Sequence, residues 1–135
     1  MINQQDRDAL IKFRINQAIE TVDLAKFLIN SNKLPVAVNR IYYGMYYTLT
    51  APALQHQFET SKHQQLIGWF NKNFVATNIV EVKFGQMVRN AFQNRRKGDY
   101  DAFITFSPEE VELMLSDLIQ FIDAIRKIIL ISANK

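Results

Sequence analysis

The chain has 135 residues, 48% of them hydrophobic and 21% charged, and a net charge of only +3. That is the make-up of one globular domain with enough length to bury a core. There is no cysteine and only two histidines, His56 and His63, which excludes disulfides, zinc fingers, iron–sulfur clusters, thiol nucleophiles and a histidine-rich metal site.

A first helix is expected from about Asp6 to Ser31. Ile11, Ile15, Ala18, Val22, Ala25 and Ile29 alternate spacings of four and three, which lays one apolar stripe along a helix. Asn30-Ser31-Asn32 breaks the stripe, and Pro35 suits the first turn of a second helix. That helix is expected to run to about Gln57 with a bend at Pro52, where the ring removes an internal hydrogen bond. Thr60 or Ser61 is positioned to cap a third helix from His63 to about Ala76, with Leu66, Phe70 and Phe74 on one face. A fourth is expected from about Val80 to Lys97, with Val80, Phe84, Met87 and Ala91 on one side and Gly98 as its C-terminal cap. Ser107-Pro108-Glu109-Glu110 opens the last helix as a capping box, and Val111, Leu115, Leu118, Ile122, Ile125 and Ile129 repeat the spacing of the first stripe. No strand is read. The expectation is an all-α, up-and-down bundle of four to five helices, one domain over residues 1–135.

The start lacks a basic region followed by an apolar run, so no signal peptide is read. The most apolar stretch, Ile41 to Leu54, is too short to span a bilayer and carries four tyrosines. A cytoplasmic location and no membrane contact are expected. Charge is unevenly spread. Residues 62–97 hold seven Lys or Arg and one acid, whereas residues 98–125 hold seven acids and no Lys or Arg. The basic stretch suits a polyanion, and the whole pattern also suits side chains complementing helix dipoles.

Three clusters carry chemistry. In Arg40-Ile41-Tyr42-Tyr43-Gly44-Met45-Tyr46-Tyr47, helical spacing puts Arg40, Tyr43 and Tyr47 on one face and Tyr42, Tyr46 and Leu49 on another. Glycine costs about 1 kcal/mol in a helix, so Gly44 predicts another backbone approaching closely. The tyrosines serve equally as packing groups whose hydroxyls reach water or a carbonyl. His63 opens the third helix, where the positive end of the helix disfavours its charged form. It is either a proton acceptor or a residue bonded to a neighbouring loop. In Asn94-Arg95-Arg96-Lys97-Gly98-Asp99-Tyr100-Asp101, two arginines beside a carboxylate and a phenol suit phosphate binding and acid–base work, or simply a capped helix end.

Together these clusters resemble the HEPN domain family (higher eukaryotes and prokaryotes nucleotide-binding), in its stand-alone prokaryotic branch. The family carries an arginine followed shortly by Tyr-Tyr-Ala-Met on the second long helix; Arg40, Tyr42, Tyr43, Gly44 and Met45 fit, with glycine in place of alanine. His63 matches its histidine opening the third helix. Arg95, Asp99 and Tyr100 match its Arg-x-x-x-Asp-Tyr element, and a capped acidic final helix follows.

The resemblance implies a bundle that dimerises, and either a metal-independent RNase or a toxin paired with a small nucleotidyltransferase. It implies no cofactor and no metal. The ligand-binding candidates are Arg40, Tyr43, His63, Arg95, Asp99 and Tyr100, and the catalytic candidates are Arg95, Asp99, Tyr100 and His63. The RNase branch places a histidine shortly after an arginine. Here the positions where that histidine would fall after Arg95 are Tyr100, Asp101 and Ala102, and those after Arg89 are Asn94, Arg95 and Arg96. A phenol with an ordinary pKa of about 10 is a poor base at neutrality. The leading expectation is therefore a homodimeric, non-catalytic or weakly catalytic module that binds a nucleotide or RNA phosphate beside a nucleotidyltransferase partner and does not cut RNA at a useful rate. A ribonuclease toxin and a purely structural dimerising bundle are the alternatives.

Overall fold

Asn3 starts the first helix, its side-chain oxygen accepting from the Asp6 N–H at 2.8 Å and so satisfying one of the orphan donors of the first turn. In the computed structural model, which describes residues 2–133, this helix, α1, spans Gln4–Asn30. It is followed by α2 (Leu34–Gln55), α3 (His63–Phe70), α4 (Val82–Tyr100) and α5 (Pro108–Ala133), with no strand among the described residues. The fold is the expected all-α bundle; residues 1, 134 and 135 lie outside the described residues.

The predicted stripes form the core. Ile11, Ile15, Ala18, Ala25 and Ile29 of α1 are buried, as are Val111, Leu115, Leu118, Ile122 and Ile125 of α5. α2 is the central element, packing on α1, α3, α4 and α5. It buries Val38, Ile41, Tyr42, Met45 and Leu49 on more than one side, as a helix surrounded by others must. Among the described residues no helix is long and apolar enough to cross a membrane.

Several local expectations are corrected. Gly44 is approached by side chains rather than by a backbone. A Cβ there would collide with Thr21 Oγ1 and lie 2.9 Å from Leu118 Cδ1, so α1 and α5 both press on α2 at this point. Gly98 does not end α4, which runs on to Tyr100 with Gly98 at negative φ. Its lack of a side chain instead makes room for Phe106, whose ring would lie 3.2 Å from a Cβ there. Left-handed backbone falls on Asn32, Gln57 and Asn78, just beyond α1, α2 and the third helical segment. Neither Thr60 nor Ser61 caps α3, whose N-cap is Lys62 with no side-chain bond; Thr60 Oγ1 instead accepts from the Lys62 N–H at 3.1 Å. The third segment changes at Asn71–Val75 into one π-helical turn. Pro52 sits buried inside α2, which continues to Gln55. The cap of α5 is as expected, with the Glu110 N–H donating to Ser107 Oγ at 3.1 Å.

Candidate phosphate-binding site

The site forms where the middle of α2, the first residue of α3 and the last turns of α4 meet. Helical spacing turns Phe92, Arg95 and Asp99 of α4 to the same side, at i, i+3 and i+7. That side faces α2, so Arg95 lies over the rings of Tyr42, Tyr43 and Phe92, at 5.2, 5.7 and 5.6 Å from their centroids. These rings attract the guanidinium through their negative faces.

The Arg95 side chain is only 14% exposed, yet its polar atoms are poorly used. Nη1 reaches Asp99 Oδ2 at 3.5 Å, a long contact for a charged pair, and Nε has no hydrogen-bond partner. A second arginine lies close by. Arg40 donates through Nε and Nη2 to Asn39 Oδ1, at 3.0 and 2.7 Å, and its guanidinium lies 4.9 Å from the Tyr43 centroid. Asn39 Nδ2 in turn donates to Asp99 Oδ2 at 3.2 Å. The row Arg40–Asn39–Asp99–Arg95 therefore sets two guanidinium groups against one carboxylate around the ring of Tyr43. The surplus charge is positive, which suits an anion.

Tyr42 forms the floor. It is fully buried, and its hydroxyl lies 2.6 Å from His63 Nδ1. Burial pushes the Tyr42 phenol well above its ordinary pKa, an effect that the Arg95 charge partly offsets. The phenol thus keeps its proton. Donating that proton to Nδ1 satisfies both groups, whereas the opposite polarity leaves a buried O–H unpaired. This fixes a neutral imidazole with its own hydrogen on Nε2. The ring stacks on Tyr46 at 4.3 Å, and both desolvation and the Arg95 charge hold its pKa below the usual value. His63 here is a hydrogen-bond donor rather than a ready base.

Of the six ligand-binding candidates, the fold gathers Arg40, Tyr43, His63, Arg95 and Asp99. It does not bring in Tyr100. That side chain is 79% exposed and shares a shallow groove with Gln93, Arg96 and Lys97 on another side of α4. Sequence reasoning missed Asn39, which joins the two halves of the row, and Phe92, which supports Arg95. Phe92 was findable, since it precedes Arg95 by three residues. Asn39 gave no signal, because its partner Asp99 is 60 positions away.

The family model described as HEPN domain matches residues 11–128. The chain is 34% identical to a protein of Thermotoga maritima named "UPF0332 protein", over 92% of this chain and 94% of the other. It is 33% and 29% identical to two proteins of Methanocaldococcus jannaschii, each named "Putative toxin". Those matches cover 89% and 94% of this chain, and 81% and 93% of the relatives.

Proposed function

This chain belongs to the HEPN domain family, and from that membership we propose that it is a toxin-type module that binds a phosphate group of a nucleotide or RNA through Arg95 and Arg40. The observation that carries the reading is the state of Arg95. A buried guanidinium loses much hydration and is stable only when its donors find acceptors. Arg95 spends one donor on a long contact and leaves Nε unpaired. A phosphate accepts two parallel N–H bonds from such a fork. The Arg40 guanidinium, which shares the ring of Tyr43 with Arg95, supplies further donors from the same cluster. The toxin names carried by two relatives support the class. In this reading the protein works in the cytoplasm as a homodimer, beside a nucleotidyltransferase that restrains it.

A ribonuclease is the second reading. One observation favours it: His63 and Arg95, 32 positions apart in sequence, share the ring of Tyr42. The polarity of the Tyr42–His63 bond weighs against it, because cleavage needs a group that takes a proton from the 2′-hydroxyl and Nε2 already carries one. The two readings separate when single-stranded RNA is incubated with the protein in EDTA and both retention and cleavage are followed. Retention without cleavage is expected. Cleavage by wild type that disappears in His63→Ala establishes the nuclease instead.

A further inference from the structure

A cavity of about 360 Å³ opens between α1, the last turn of α2 and α5. Gln55, which lines it, stands more than three turns beyond Tyr42 on α2, about 20 Å along the axis, so the cavity is separate from the phosphate site. Its floor is apolar. Ile11, Ile15 and Ala51 are buried together, with Leu54 and Ile129 packed on them, as a small cluster apart from the main core. Its rim carries Asp8, Lys12, Asn16 and Arg126. We propose that this cavity is a second ligand site, for a small carboxylic acid with an alkyl body and a hydroxyl group.

Three observations define that ligand. The first is that the Gln55 side chain is half used. Its Nε2 donates to the Ile129 carbonyl at 3.3 Å, whereas its Oε1 is buried and has no hydrogen-bond partner. An acceptor shut away from water and unpaired is costly, and a hydroxyl that donates to it removes that cost. An ionised carboxylate cannot do so, since it only accepts. The second is the charge of the rim. Lys12 and Arg126 are exposed, and neither forms an ion pair among the described residues. The acid beside them, Asp8, already accepts from Gln4 Nε2 at 2.7 Å. Two cations against one acid favour an anionic end at the mouth. The third is the shape of the lining. Ile11, Ile15 and Ile129 give an aliphatic surface, and the described lining holds no aromatic ring. A nucleobase has nothing to stack on here, whereas an alkyl chain of several carbons buries against these side chains. The volume falls at the lower end of the range for small-molecule sites.

The test titrates β-hydroxyoctanoate, octanoate and the alcohol analogue in which CH₂OH replaces the carboxylate, and reads affinity by calorimetry. The wild type should bind β-hydroxyoctanoate, and octanoate about fivefold more weakly, the loss of one net hydrogen bond. The alcohol should bind about threefold more weakly at low salt, a difference that shrinks as salt is raised. Gln55→Leu leaves no orphaned acceptor and should bind β-hydroxyoctanoate and octanoate alike. The double variant Lys12→Gln, Arg126→Gln, whose changes are at the surface, should bind the acid and the alcohol alike; it keeps the test decisive even if Gln55→Leu folds poorly. Arg95→Met should bind β-hydroxyoctanoate as the wild type does. No binding of β-hydroxyoctanoate to the wild type at millimolar concentration would overturn the site. A hydroxyl preference that survives in Gln55→Leu, or a carboxylate preference that survives in the double variant, would overturn it too. Affinity lost in Arg95→Met would place the acid at the phosphate site instead.

Discussion

The hydroxyl of Tyr42 lies 2.6 Å from Nδ1 of His63 and holds the imidazole neutral in a stack with Tyr46. The pH dependence follows. The folded protein holds the His63 pKa below the unfolded value near 6.5, so the unfolded state binds the extra proton first. The contribution of this site is complete above pH 6.5 and is lost as the pH falls below it. Melting temperature should therefore drop between pH 7.5 and 5.5, and drop less in His63→Gln. Parallel curves for the two proteins would show that the imidazole is not held neutral.

Gly44 should tolerate no larger residue. Alanine gains about 1 kcal/mol in helix propensity, but its methyl meets Thr21 Oγ1 and Leu118 in a packed core. Gly44→Ala should lose about 1–3 kcal/mol in urea unfolding, the usual range for overpacking. Adding Thr21→Ala should restore part of it. A fully stable Gly44→Ala protein would mean that α1 and α5 can move apart there.

How far these contacts were legible in the sequence varies from place to place. The stripes of α1 and α5 and the Ser107 cap could be read because each arises from residues within one or two turns. The three-way contact of Gly44, Thr21 and Leu118 could not, since nothing local in α2 says which side chains arrive from α1 and α5. The site behaves alike. Arg40 and Tyr43 share a face by helical spacing alone, and they do meet. The meeting of Arg95 with Tyr42, and of Tyr42 with His63, depends on how three helices cross. A search for histidine along the chain after Arg95 could not find it, because the histidine approaches from another helix. Gly98 misled for a similar reason: a glycine at a basic helix end reads as a cap, whereas its role is to admit Phe106 from the following loop.

Arg95 should be nearly dispensable for folding. Its contact with Asp99 is long, Asp99 keeps access to water and a second bond from Asn39, and Arg95 Nε has no partner, so removing the guanidinium breaks no strong bond. Arg95→Met should melt at or above the wild-type temperature. A loss of several degrees would mean that the guanidinium is structural.

Self-association should be measurable by light scattering. Phe13, Leu24 and Phe27 lie along one side of α1, and Phe27 is 64% exposed. Such a stripe suits a two-fold dimer, the commonest closed assembly. The wild type should scatter as a dimer at micromolar concentration and Phe27→Glu as a monomer. A monomeric wild type would contradict the homodimer.

The phosphate site itself is tested most directly by the melting shift that AMP and a short RNA give with wild type and with Arg95→Met. At 100 times its dissociation constant, a ligand that binds only the folded state adds about 2.7 kcal/mol. The wild type should show that stabilisation, and Arg95→Met, equally well folded, should show none. Equal shifts in the two proteins, or no shift in the wild type at any concentration of either ligand, would contradict the assignment of Arg95 as the phosphate-binding residue.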